Sequence, residues 1–214
     1  MQITVFGASG GIGSRVVDRL IASGHDVTGV VRDPAQADGL AAKGAKSVLA
    51  DIRTDDVTAA LTGADAVVWA LGARLMVDGP GAAPAIDGDA AVATIQLADK
   101  IGVRRWVQIS SMMADRPESG PPLLLPFLHA KQASDDAARA SSMEWTVIRP
   151  AGLTDAPGIG EVSIASTIEE HRPISRDDVA DVAVACVTSA LGAHRSFDLV
   201  SGGEAITSAL ASIS

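Results

Sequence analysis

The 214-residue chain contains no tyrosine, a single cysteine (Cys186) and only six other aromatic rings, three Phe and three Trp. One cysteine excludes an internal disulfide and is too few for a thiolate metal cluster. Basic residues are also scarce: 17 Lys and Arg stand against 26 Asp and Glu, a formal charge of −9. So acidic a chain is repelled by nucleic-acid phosphates and anionic lipid, so neither a nucleic acid nor a membrane is expected as a partner. An anionic ligand must be held by a local site. The longest apolar run, around Val67–Val77, is broken by Gly72 and Arg74 and falls short of the roughly 20 residues that span a bilayer. No basic, apolar-cored leader precedes the first strand-like segment, and the expected location is the cytoplasm. Neither an internal repeat nor a charged linker is found.

What is present is an alternation. Met1–Phe6, Val27–Val31, Ser47–Ala50, Ala66–Trp69, Trp106–Ile109 and Trp145–Ile148 read as strands, and Ile12–Ile21 carries Val16, Val17, Leu20 and Ile21 at helical spacing. Apolar strands separated by helices predict an α/β fold: one Rossmann-type, doubly wound parallel sheet covered on both faces. The part from about residue 151 is expected to form a small substrate-side lobe plus an added strand on the sheet, with Val162–Ala165 and Ser196–Val200 as strands and Asp177–Leu191 as a helix. Two stretches after strand ends, Asp78–Ile86 (DGPGAAPAI) and Met112–Pro126 with its four prolines, read as loops and candidate lids. The alternative is tolerated surface loop.

Gly7-Ala8-Ser9-Gly10-Gly11-Ile12-Gly13 lies between the first strand and the first helix. Gly7 suits the tight turn, Gly10 the approach of a pyrophosphate and Gly13 close helix–strand packing, with the helix N-terminus facing the anion. A dinucleotide is the expected ligand. After the second strand comes Arg32-Asp33-Pro34. Arg32 is placed to hold a 2′-phosphate, with Ser9 adding a hydroxyl. Asp33 is either a ribose ligand or the N-cap of a helix with proline at its first position. NADP is expected as cofactor, with NADPH preferred over NADH.

These motifs, with Ala50-Asp51-Ile52, Trp69-Ala70-Leu71-Gly72, Ile109-Ser110-Ser111, Trp145-Thr146-Val147-Ile148-Arg149-Pro150 and Ile174-Ser175-Arg176-Asp177-Asp178-Val179-Ala180 in order, resemble the atypical short-chain dehydrogenases/reductases. That group includes NAD(P)-binding NmrA-like regulators and biliverdin/flavin reductases. The resemblance implies Asp51 and Ile52 at the adenine, and Ala70, Leu71 and Gly72 along the ribose and pyrophosphate. It puts Ser110 and Ser111 beside the nicotinamide and Pro150 to Leu153 over its far side. For Asp51 the alternative is a turn cap; for the serine pair it is backbone satisfaction at a strand end.

Reductases of this superfamily place Tyr four residues before Lys on one helix, so that the ammonium lowers the phenol pKa. Here the matching stretch is Phe127-Leu128-His129-Ala130-Lys131. The lysine is in place and the proton donor is missing. Lys131 is either a ribose ligand and catalytic group or a helix lysine paired with Asp135; Ser111 is the hydroxyl left to polarise a substrate. His129 points about 200° round the helix from Lys131, and the spacing of His25, His171 and His194 suggests no metal site. Cys186 reads as a small buried hydrophobe. Two functions follow: an NADPH-dependent reductase of a flavin, quinone or other small conjugated acceptor, walled by Met112, Met113, Leu123 to Leu125 and Leu153, or a non-catalytic NADP(H)-binding sensor of the NmrA-like kind. Sugar epimerase or dehydratase chemistry ranks third, because those relatives also depend on the tyrosine. Oligomeric state is not legible.

Overall fold

The computed structural model describes residues 1–73, 77–79 and 81–213; Arg74 and Pro80, in the expected apolar run and first loop, lie outside them. The first half runs β1 (Gln2–Phe6), α1 (Gly13–Ala22), β2 (Asp26–Val31), α2 (Pro34–Ala42), β3 (Lys46–Leu49), α3 (Thr58–Leu61), β4 (Ala66–Trp69), α4 (Ala91–Lys100) and β5 (Arg105–Ile109). The second half runs α5 (Leu125–Ala140), β6 (Glu144–Pro150), β7 (Leu153–Thr154), β8 (Glu161–Ala165), β9 (Ile174–Ser175), α6 (Arg176–Ser189), β10 (Arg195–Ser201), β11 (Glu204–Ala205) and α7 (Ile206–Ala211).

Nine strands form one sheet in the order β11-β8-β10-β6-β5-β4-β1-β2-β3. Seven of them, from β3 to β10, are parallel, and β8 joins the far edge antiparallel to β10. The chain therefore has the doubly wound α/β architecture that its alternation predicts. Successive strand residues point to opposite faces, and here both faces are apolar. Val68 faces a core with Val16, Val17 and Leu20 of α1 and Val179 and Ala183 of α6. Val67 and Trp69 face the other way, towards Leu61 and Ile95, where Phe6, Trp69 and Trp106 stack with ring centroids 5.1 and 5.7 Å apart.

The C-terminal part adds strands to the main sheet and also carries a small two-stranded sheet of its own. β8 and β11 extend the main sheet, and only β7 and β9 pair apart from it. The segment expected as a flexible loop to Ile86 is helical earlier than its composition suggests, with a π-helical turn at Pro84–Ala90 leading into α4. Proline occupies the start of this turn, where its missing N–H costs nothing. Among the described residues, no helix is long and apolar enough to cross a membrane.

The strand order reverses between β1 and β4, and a crevice opens at their C-terminal ends, the place where such sheets take ligands.

Candidate functional site

A groove of about 660 Å³ occupies this crevice. Its floor begins with the glycine turn. Gly7 has a left-handed backbone (φ 78°), and a Cβ there would lie 2.7 Å from the Ala70 carbonyl oxygen. The Gly10 N–H donates to Gly7 O at 2.8 Å, closing the turn. At Gly13 a Cβ would come within 2.1 Å of Gly7 O, so α1 can start this close to β1 only on glycine. No side chain caps the first turn of α1, whereas Asp33 and Ser175 cap α2 and α6. The open N-terminus of α1 thus meets the groove with its positive end and amide hydrogens free of any side-chain acceptor, which fits a pyrophosphate.

Gly7, Ser9, Gly10, Gly11, Ile12, Arg32, Asp51, Ile52, Ala70, Leu71 and Gly72 border the groove. Ala8 and Gly13 do not. Ala8 is buried, its methyl group aimed at Gly29 beneath the turn, and Gly13 serves the packing. Asp33 accepts from Ala35 N at 2.9 Å with Pro34 beside it; of the two readings of this residue, the cap is the one observed. Arg32 next to it is exposed on the groove wall.

Asp51 is gripped by Arg53, whose Nε and Nη2 lie 2.9 and 2.5 Å from its two carboxylate oxygens. This grip, outweighing the slight burial, holds the Asp51 carboxyl down at about 2. Arg53 also borders the groove.

At the other end the walls are Ile86, Ile109, Ser110, Phe127, Lys131 and Leu153. Lys131 is buried (side chain 4% exposed), with Nζ 2.8 Å from Asp87 Oδ1, 3.0 Å from Ile109 O and 3.3 Å from Leu71 O. Its partner is Asp87, on the π-helical turn, and not Asp135. The Asp135 carboxylate instead faces Arg149 Nε at 3.1 Å and Gln108 Nε2 at 2.8 Å, and its carboxyl is pushed up by burial against the pull of Arg149. Ser110 is buried, and its Oγ has no well-aligned hydrogen bond although the hydroxyl near Asp135 favours that carboxylate.

Several expected residues lie elsewhere. Ser111 turns away from Ser110, as consecutive residues leaving a strand do, and donates to Met112 O at 3.2 Å; it does not border the groove. Pro150 is buried in β6, its carbonyl accepting from Met112 N at 3.1 Å. The acceptor walls expected from Met112–Pro126 are absent: no residue of that segment borders the groove. Met112 is drawn into a small core with Ala151 and Val200, and Leu123 is 82% exposed. Arg116 and Asp115 rivet the segment to Asp198 and Arg149, at 3.5 and 3.3 Å. His129 faces Glu118 at 3.1 Å, away from the groove. Burial pushes the Cys186 thiol up to about 12, which makes it inert.

The NAD(P)H-binding family profile matches residues 7–190. The chain belongs to this family. Among its relatives, YhfK of Bacillus subtilis, described as an uncharacterized sugar epimerase, is 35% identical over 98% of this chain and 99% of its own. A Bacillus halodurans structure described as an NAD-dependent epimerase/dehydratase superposes with a TM-score of 0.93 at 30% identity, covering 99% of both chains. ChuY, an anaerobillin reductase of Escherichia coli O157:H7, shares the fold at a TM-score of 0.77 and 21% identity, over 94% of this chain and 97% of its own. The family binds NAD(P)H, and both the glycine turn and most of the groove wall lie within the matched residues.

Three residues bordering or backing the groove had escaped assignment in the sequence. Arg53 carries a signal, an i, i+2 pair with Asp51 on a tight turn. Asp87 directly follows the stretch Asp78–Ile86 that read as a loop. Arg176 is far from the glycine turn in sequence and touches it in space.

Proposed function

We propose that the protein is an NADPH-dependent reductase of a small, flat, conjugated acceptor of the flavin or quinone type. The observation that carries this reading is the unlike character of the two ends of one groove. At the ribose end Arg32 stands exposed while Asp33 is diverted into a helix cap, which supports a 2′-phosphate and hence NADPH over NADH. At the other end Ile86, Ile109, Phe127 and Leu153 offer apolar contact.

The cofactor, when bound, supplies a hydride. The glycine turn and Arg32 bind and orient it, and Phe127 and Leu153 exclude water from the face an acceptor would use. Phe127 has no proton to give, and Lys131 is held by Asp87 and two carbonyl groups. A conjugated acceptor suits such a site, because the reduced ring takes its proton from solvent and the protein contributes mainly proximity. The names of YhfK and the Bacillus halodurans protein point to epimerase or dehydratase chemistry, but that chemistry needs an acid–base group at a sugar hydroxyl, and neither Phe127 nor the buried ammonium of Lys131 serves.

The test is NADPH oxidation by purified protein against flavins, quinones and small carbonyls, with Arg32→Ala alongside. Turnover of a flavin or quinone that falls in the variant is expected. A second reading, an NADP(H) sensor without turnover, is favoured by the closed Lys131–Asp87 pair; it requires unequal affinities for NADPH and NADP+ and predicts tight NADPH binding with no oxidation.

A further inference from the structure

We propose that Arg176 is a clamp for the pyrophosphate of the bound dinucleotide, held in reserve by Asp155. The proposal rests on the reading of the groove as a dinucleotide site and adds a residue that the glycine turn alone does not supply.

Arg176 opens α6, whose first turn is closed by Ser175: the Asp178 N–H donates to Ser175 Oγ at 2.9 Å. Its side chain runs across the glycine turn. A Cβ at Gly11 would lie 2.8 Å from Arg176 Cδ, 3.0 Å from Nε and 4.0 Å from Cζ. The absence of a side chain at Gly11 is therefore what admits the arginine, and Arg176 borders the groove together with Gly10 and Gly11. Of the described cations on the groove wall, Arg32 lies past the end of β2, Arg53 is engaged by Asp51 and Lys131 is buried against Asp87. Arg176 alone lies against the glycine turn.

Its present partner is weak. Arg176 Nη1 is 3.0 Å from Asp155 Oδ2, and the Asp155 side chain is 74% exposed; ion pairs so open to water contribute little. Neighbouring Arg15 is already committed, donating to Gly11 O at 2.6 Å and facing Asp177 at 3.3 Å, with Asp155 farther off at 3.6 Å. A pyrophosphate on the amide groups of the turn brings two negative charges to a chain of net charge −9. A planar guanidinium within reach exchanges one exposed carboxylate for a bidentate phosphate contact. Asp155 competes for the arginine and also repels the incoming anion, so the two residues have opposite effects on affinity.

The test is equilibrium titration of wild type, Arg176→Ala, Arg176→Lys and Asp155→Asn with NADPH, with ADP-ribose (pyrophosphate, no 2′-phosphate) and with adenosine 2′-monophosphate (no pyrophosphate). Arg176→Ala is expected to weaken NADPH and ADP-ribose roughly 10- to 100-fold and to leave adenosine 2′-monophosphate within about twofold. Arg176→Lys recovers part of the loss. Asp155→Asn tightens NADPH and ADP-ribose by up to about fivefold. An arginine that merely stapled α6 to the glycine turn would give the opposite sign for Asp155→Asn, since removing its partner would loosen the staple. Unchanged ADP-ribose affinity in Arg176→Ala, or weaker binding in Asp155→Asn, overturns the clamp and leaves the dinucleotide reading standing. Failure of the wild type to bind either NADPH or ADP-ribose overturns both.

Discussion

At the end of the groove beside β2 the charged groups stand in water: Arg32 is exposed and Arg53 half open, with Asp51 as its partner. At the other end Lys131 and Asp87 are 4% and 0% exposed and pair at 2.8 Å. Exposed cations cost little to keep and are available to an anionic ligand. A buried pair is costly to form, is unavailable to ligands and is expensive to break. The difference separates open from buried charge along a single groove, and on the proposed reading the cofactor's charges would meet the end where the protein has charge to spare.

Breaking the buried end has the largest expected effect. Asp87→Ala strands the Lys131 ammonium and should cost about 3–5 kcal/mol in chemical denaturation, with ADP-ribose affinity largely kept below the unfolding transition. Next comes the floor. Gly13→Ala forces a methyl group onto Gly7 O, and over-packing of this kind costs about 1–3 kcal/mol; titration should show dinucleotide binding lost, and retained binding would remove the turn from the site. Arg32→Ala should weaken NADPH by about 1.5–3 kcal/mol while NADH is unchanged. Equal losses for both would move the preference to another group. Phe127→Tyr alters a half-buried wall, so stability should stay within about 0.5 kcal/mol and NADPH affinity should hardly change. New carbonyl reduction in that variant would identify the missing phenol as what excludes that chemistry.

The smallest effect is electrostatic. Asp51 titrates at about 2, below its usual 3.8, because Arg53 favours the charged form. A lowered folded-state value means that its contribution to stability is fully present above pH 3.8 and is lost as the pH falls through 2. Nothing should change between pH 5 and 8. Carboxyl NMR should place its midpoint near 2, moving up towards 3.8 in Arg53→Ala.

What the sequence made legible is what is local along the chain. The glycine turn, the Asp33-Pro34 helix start and the strand runs each depend on residues a few positions apart. The contacts that it hid are distant or depend on facing. Arg176 meets Gly11 only because α6 packs on α1, where Arg19 pairs with Asp177 and Asp181. Asp87 lies just past Asp78–Ile86, whose Gly, Pro and Ala content read as a loop although a helical turn begins at Pro84. Met112 and Leu123 are apolar, as a pocket wall would be, but apolarity does not say which way a residue faces: one is inside the core and the other in solvent.

The segment Met112–Pro126 is fastened on its far side, with Met113 in a left-handed turn (φ 68°) and Arg116 reaching Asp198. A wall held back in this way sets a rule for traffic. On the proposed reading, an acceptor would bring only its flat ring to the apolar end bordered by Phe127 and Leu153, and its substituents would trail outwards past this segment. Choice among acceptors would then follow the shape of the inserted ring rather than total size, so molecules of very different mass would compete for one mouth.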